Sequence, residues 1–307
     1  MKKLLLLFIL ATIANGVIFI FRDKFIYQPF SSYTELYAPC GDQCRQKWDD
    51  FLLPYSNNTI AEGKNLLAPL PLDSAQPLDR LKLINGHLRQ RFGKQAGYPA
   101  DIIHKSNPVD QYKILSSDTS QRLWCGTWAQ LVSFFGWSHG LVYRNVEIMK
   151  PGDRHVLNEC FVPEVQNWVM VDLTHDILFA EKNGKLLNTV DFLNALEAPD
   201  SVRVFTSSNE PIPLSQFAQI SSIRSYYDKN FEYYYYHTTH LQIAYRPIEK
   251  VKRYFLPDSW YEIYSLKANS NVPFYVKLFF IVGWLILGSL ILVKRFHDRS
   301  KRPTERL

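Results

Sequence analysis

Cysteine, glycine and methionine are scarce in this chain: four, 13 and three among 307 residues. Four cysteines cannot staple a scaffold of this length, so the core has to come from apolar burial. So few glycines, with 17 prolines, exclude collagen-like and low-complexity chains. A basic surface is missing as well. The net charge of +6 sits at the two ends, where Lys2, Lys3, Lys294, Arg295, Arg299, Lys301, Arg302 and Arg306 face only Asp298 and Glu305. Of 35 basic and 29 acidic residues in all, those eight and those two account for the whole excess, so residues 4–293 are neutral. A neutral body lacks the footprint that phosphate binding needs, and nucleic acid is not an expected partner.

What is abundant is apolar and aromatic surface, at 47% and 15% of the residues. Two long runs concentrate it. Residues 4–21 (LLLLFILATIANGVIFIF) are interrupted only by Thr12 and Asn15, and residues 273–293 (PFYVKLFFIVGWLILGSLILV) carry one charge, Lys277, near an end where it can snorkel. About 20 residues of helix cross the roughly 30 Å of bilayer hydrocarbon. A cleaved signal peptide also starts with Lys-Lys and leucines, and Ala14 and Gly16 are small enough for a cleavage site. The VIFIF that follows extends the run, which favours a retained anchor. Lysine and arginine flank both runs on their outer ends, so both termini are expected in the cytoplasm and residues 22–271 on the far side. In a bacterium this describes a two-span protein of the inner (cytoplasmic) membrane with an extracytoplasmic body in an oxidising compartment.

The expected organisation is a short cytoplasmic start (1–3), a first span (4–22), a mixed segment (23–77), a core (78–200), an aromatic-rich segment (201–271), a second span (272–293) and a basic tail (294–307). Residues 78–91 have helical spacing. Residues 97–120 are polar with turn signals and promise little regular structure. Residues 122–135 read as a helix, with Asp118 or Ser120 as cap at its start and Gly136 at its end. The period then changes to two over residues 141–148, 155–162 and 168–173, three expected strands. A helix followed by consecutive strands implies an α+β fold with an antiparallel sheet.

The block RLWCGTWAQLVSFFGWS, followed by DRHVLNECFVPEVQNWVMVDLTHD, carries the chemistry. Cys125 lies in the first turn of the expected helix, where free N–H groups and the helix dipole favour a thiolate, the nucleophilic form. A thiolate needs a base to hold its proton and a third group to orient that base. His139 follows the helix, so it lies far from Cys125. His155 opens a strand that returns to the helix start, and Asp172 ends the next strand. In a hairpin whose paired numbers sum to 327, with a loop over residues 161–166, Asp172 stands directly across from His155. Singly, a helical cysteine is a small core residue, His155 a surface histidine and Asp172 a turn residue. In this order they form a candidate triad of Cys125, His155 and Asp172.

On those residues the chain resembles the transglutaminase-like superfamily, with its papain-like core, over about residues 78–176. Cys125 matches the nucleophile at a helix head. His155 in HVLNECFV matches the strand-opening histidine, and Asp172 in WVMVDLT resembles a tryptophan-led strand ending in Asp-x-Thr. Leu157 stands where many members carry an aromatic residue, and Leu173 where proline is common. The resemblance implies acyl transfer or hydrolysis at amide or peptide bonds through an acyl-thioester on Cys125, with no metal or organic cofactor. The Cys125 N–H is a natural oxyanion donor, and Gln121 is the candidate for a second. The expected partners are the lipid bilayer and an extracytoplasmic protein, peptide or envelope polymer substrate. The alternative is an inert domain of the same fold serving as scaffold in envelope or polysaccharide assembly.

Weaker signals remain. Cys40 and Cys44 are close enough for a disulfide, with a pair of free, buried thiols as the alternative; a zinc pair is less favoured, since no second pair matches. Cys160 alternates away from His155 and belongs to the core. His237 and His240 form an H-x-x-H without the spacing or glutamate of a zincin. The tyrosines from Tyr226 to Tyr254 are expected to serve core packing or membrane-interface contact more than sugar stacking.

Overall fold

The computed structural model describes residues 2–21, 24–25, 30–38, 48, 55–208, 210–238, 248, 251, 264–267 and 270–300. Local chemistry sets the helices before the first strand. After α1 (Lys2–Ile20), α2 (Tyr33–Leu36) has a capping box made by Ser32 and Glu35, and Ser56 caps α3 (Asn57–Leu66). In α4 (Pro77–Phe92) the proline occupies the first turn, where its missing N–H costs nothing. Leu81, Ile84, Leu88 and Phe92 are buried at helical spacing. The short α5 (Asp101–Lys105) and α6 (Pro108–Ser117) follow. They fall in the stretch expected to lack regular structure. There Asn107 accepts from the N–H groups of Val109 and Asp110, and Pro108 begins the first turn, a start signal as strong as any in the chain.

The central helix, α7 (Cys125–Ser138), is buried from Thr127 through Gly136. It starts three residues later than the spacing predicts. Asp118 and Ser120 close a turn of their own, and Trp124 takes the cap position with no side-chain cap bond. Gly136 lies inside the helix. A Cβ there would meet Tyr143 Cε2 at 2.2 Å, so the glycine permits close packing on the first strand. Gly140, at φ +81°, makes the left-handed turn that leads out.

The strands are β1 (Val142–Lys150), β2 (Asp153–Val162) and β3 (Asn167–Val171), then β4 (Phe179–Lys182) and β5 (Lys185–Leu186). Beyond α8 (Thr189–Ala195) come β6 (Val202–Phe205), β7 (Pro211–Pro213), α9 (Ile220–Tyr226), β8 (Glu232–Tyr236), β9 (Tyr264–Ser265) and α10 (Val272–Ser300). Two antiparallel sheets result, in the orders β3-β2-β1-β8-β9 and β5-β4-β6-β7. The fold is therefore α+β. Both sheets draw strands from either side of residue 200, so no structural seam falls there. The β2–β3 register differs from expectation: Asn158 faces Val171 and Val162 faces Asn167, sums of 329 rather than 327. The loop is shorter, residues 163–166, and is closed by Gln166 at φ +49°. A shift of two keeps every side chain on its face. It makes His155 and Asp172 diagonal neighbours instead of direct partners.

One apolar core joins α4, α6 and α7 to the face of the first sheet that carries Tyr143, Cys160 and Val171. The other joins the opposite face, with Val146, Leu157 and Trp168, to α8 and the second sheet. On this second side Arg144 is fully buried and paired with Glu159 at 2.6 Å. Arg144 also donates to the Leu36 carbonyl, while Glu159 accepts from Tyr37 and from the Thr189 N–H. The guanidinium lies 4.1 Å from the Trp168 ring centroid and 4.8 Å from that of Tyr37. Charge, hydrogen bonds and rings thus clamp α2 to the sheet.

The terminal helices α1 and α10 are long and apolar enough to cross a membrane. They pack antiparallel, with Phe8 stacked on Trp284 at 5.6 Å, Trp284 Nε1 donating to Thr12 at 2.9 Å and Asn15 donating to the Phe280 carbonyl at 3.1 Å. That pairing brings Lys2 and Lys3 to the same end as Lys294 and Arg295.

Candidate active site

The approach to Cys125 is fixed by a short bridge. Leu123 N–H donates to the Gln95 carbonyl at 2.7 Å, and Gly97 N–H to the Leu123 carbonyl at 2.9 Å. This holds Tyr98 against Trp124, the residue before the cysteine, with ring centroids 5.0 Å apart; His104 of α5 packs on the same indole at 4.6 Å. Cys125, half-buried, is the first residue of α7. The first bond of the helix runs from Trp128 N–H to the Trp124 carbonyl. The N–H groups of Cys125, Gly126 and Thr127 have no acceptor among the described residues, as the start of a helix without a side-chain cap requires.

His155, near the start of β2, is 2% exposed. Its ring has two neighbours that matter. Nε2 donates to Asp172 Oδ2 at 2.8 Å, and the Cys125 thiol lies close enough for its charge to act on the ring. With Nε2 committed to the carboxylate, Nδ1 is the ring atom left for the sulfur. Burial alone pushes the His155 pKa down, but the charge and hydrogen bond of Asp172, helped by Cys125, raise it to about 10. Of the three residues singled out in the sequence, His155 and Asp172 are in direct contact and Cys125 lies near the imidazole.

Asp172 follows β3 and opens a single 3-10 turn, Leu173–His175. Its Oδ1 accepts from the Thr174 N–H at 3.1 Å. Its Oδ2 accepts from three donors: His155, His175 Nδ1 at 2.6 Å and the Tyr227 hydroxyl at 2.9 Å. Burial works to raise the carboxyl pKa, yet the two histidines hold it well below the usual range. Tyr227 goes the other way, since burial and the adjacent carboxylate keep its proton on. His175 continues the chain, with Nε2 3.1 Å from Ser222 Oγ. Tyr226 covers the His155 ring at 5.0 Å, and Lys150 Nζ lies 4.0 Å from the centroid of that tyrosine.

His175, Ser222, Tyr226 and Tyr227 were not assigned to the site from sequence. His175 stood in plain view three residues after Asp172. The tyrosines were visible only as an aromatic cluster, and nothing local to Ser222 or Tyr227 marks a contact made some fifty residues back along the chain. The structure also settles smaller points. Gln121 donates its amide to Asp118 at 2.8 Å, so it is turned to a surface turn and not to the cysteine. His139 caps the opposite end of α7, with Nδ1 2.8 Å from the Phe135 carbonyl. Cys125 and Cys160 are both free thiols, and Cys160 is buried in the core. Tyr233 to Tyr236 are buried in β8, the strand beside β1. Cys40, Cys44 and His240 lie outside the described residues.

His155, Asp172 and His175 place one ligand atom each within 4.8 Å of one another, a spacing that invites a metal reading. The geometry fits a hydrogen-bond hub better. Two ligands of one tetrahedral zinc at about 2.0–2.1 Å are separated by about 3.3 Å, whereas both ring nitrogens aim at a single oxygen at 2.6 and 2.8 Å. A carboxylate oxygen with three N–H or O–H donors pointed at it occupies the place an ion would need.

No protein-family model, no curated protein and no solved structure matches the chain.

Proposed function

We propose that this chain is a membrane-anchored cysteine enzyme of transglutaminase-like type, working by acyl transfer or hydrolysis at amide or peptide bonds outside the cytoplasm. One observation carries the reading: the His155 ring is hydrogen-bonded to the buried Asp172 carboxylate and has the Cys125 thiol near enough to influence its charge. A thiolate on Cys125 attacks the carbonyl carbon. The oxyanion that forms is met by the unpaired N–H groups at the head of α7, and His155 passes its proton to the departing amine as the C–N bond breaks. An acyl-thioester is left on Cys125. An incoming amine or water, deprotonated by His155, then releases the acyl group as a new amide or an acid. Asp172 fixes the ring orientation and supports the imidazolium throughout.

The placement follows from the ends of the chain. With α1 and α10 crossing the inner membrane side by side, the basic residues at both termini sit in the cytoplasm and the body faces outward. Exposed proteins, peptides or peptide-bearing envelope polymers are then the accessible substrates, and the exposed Tyr98 ring on Trp124, the residue before Cys125, is a surface they would meet. The burial of His155 beneath Tyr226 favours a second reading, an inert scaffold in envelope assembly.

Alkylation of the full chain in detergent separates the two. The enzyme reading expects iodoacetamide to modify Cys125 near neutral pH much faster than a model thiol, with the rate depressed in His155→Ala. A Cys125→Ala strain should differ from its parent in amide linkages of envelope proteins or polymers. Alkylation as slow as that of a model thiol, and indifferent to residue 155, would leave only the scaffold.

A further inference from the structure

We propose that His175 is a positioning residue of this site: it shares the Asp172 carboxylate with His155 and ties that carboxylate to α9 through Ser222. The inference rests on the enzyme reading above and adds a fourth side chain to its machinery.

The geometry leaves little freedom. His155 Nε2 and His175 Nδ1 approach the same Oδ2 from two directions, at 2.8 and 2.6 Å, and their ring centroids stand 5.1 Å apart. Both nitrogens must carry hydrogen, because a carboxylate oxygen only accepts. A neutral His175 then has its lone pair on Nε2, where Ser222 Oγ lies 3.1 Å away and supplies a hydroxyl proton. One tautomer satisfies every polar atom of the ring, which is 3% exposed. Oδ1 is already held by the Thr174 N–H, and Oδ2 also by Tyr227. Removing His175 therefore leaves Asp172 in place but with one donor fewer.

The consequence is electrostatic. Each donor on Oδ2 takes up part of the carboxylate charge, so less remains to hold the proton on His155. The groups that face this pair are Cys125 at the head of α7, Thr174 and His175 on the turn, and Tyr226 and Tyr227 at the end of α9. Lys150 and Asp153 lie behind Tyr226, at the β1–β2 turn. Among the groups within hydrogen-bond reach of Asp172, His155 and His175 are the two imidazoles. His175 thus tempers His155: it keeps the imidazolium acidic enough to surrender its proton to a leaving amine.

The test is the pH profile of Cys125 inactivation by iodoacetate in the full chain. Its alkaline limb reports loss of the imidazolium that attracts the anionic reagent. In His175→Gln the amide sits near the Nε2 position, reaching Ser222 but not Asp172. The alkaline limb should move up by about half a unit to one unit. In His175→Asn the amide nitrogen takes the place of Nδ1, keeps the bond to Asp172 and should restore the limb to its original position. An unmoved or lowered limb in His175→Gln overturns the proposal, as does an Asn variant that shifts like Gln. Absence of any alkaline limb in the unaltered protein would instead sink the enzyme reading itself.

Discussion

Replacing Asp172 by asparagine keeps the shape of the side chain and removes its charge, which makes it the most informative single change. The Thr174 N–H on one side, and His155, His175 and Tyr227 on the other, are all donors. An amide has only one oxygen to offer them, so its NH2 faces at least one donor and a buried ion pair is broken. Such losses cost about 3–5 kcal/mol. The chemical effect is read at the sulfur. His155 keeps its proton up to about pH 10 because Asp172 and Cys125 outweigh burial. With the carboxylate charge gone, burial pulls the pKa back down, and a return to the ordinary value of 6.5 sets the scale of the effect. At pH 7.5 the imidazolium fraction then falls from nearly complete to about a tenth or less. On the proposed mechanism the imidazolium activates Cys125, so its alkylation should slow about tenfold. The assay is a time course of iodoacetamide labelling read by intact mass, on protein whose thermal transition shows that it is folded. Labelling within twofold of the parent rate, in a folded Asp172→Asn protein, would refute the account of how His155 is held.

The same pair makes stability depend on pH. The raised His155 pKa contributes fully below pH 6.5, and that contribution is lost as pH rises toward about 10; the depressed Asp172 pKa contributes above about 3.8 and is lost in acid. The gap in melting temperature between the parent and Asp172→Asn should be widest between about pH 4 and 6.5 and should shrink steadily toward pH 10; a gap that grows with pH contradicts the pairing. At the other buried pair, Glu159→Ala leaves Arg144 charged and enclosed, at about 3–5 kcal/mol and a fall in melting temperature on the order of 10 °C. The double change Arg144→Met with Glu159→Leu should recover most of that loss, and equal losses in both variants would argue against a desolvated charge as the cause. Tyr98 is 76% exposed and packs on Trp124, the residue before Cys125. Tyr98→Ala should reduce the preference of Cys125 for N-benzyl over N-methyl chloroacetamide by about threefold to tenfold, the worth of one aromatic pair; an unchanged ratio removes Tyr98 from the approach.

Much of this was legible in the chain because periodicity is local. The α+β class, α4, α7 and the first three strands follow from runs of three-and-four and of two, and the Cys125, His155, Asp172 order follows from where those runs start and stop. The misreadings share a cause as well. α7 starts later than its polar neighbours suggest: Asp118 and Ser120 are good caps, yet they spend their hydrogen bonds on their own turn. The β2–β3 register was two residues off because Gln166 adopts a left-handed conformation that tightens the loop, and a glutamine does not advertise that. α6 was missed although Asn107-Pro108 announces it, since its outer face is polar. The donors around Asp172 were beyond reach, because Ser222 and Tyr227 come to it only once the second half of the body has packed.

That dependence has a consequence for biosynthesis. β8, which pairs with β1, is made long after β1, and the hydroxyls of Ser222 and Tyr227 reach the carboxylate only after α9 exists. A nascent chain that has just released Asp172 from the ribosome holds a thiol, an imidazole and a carboxylate without the scaffolding that sets their protons. On the proposed reading, the Cys125 thiol is therefore primed only after residues 222–227 have been made and packed.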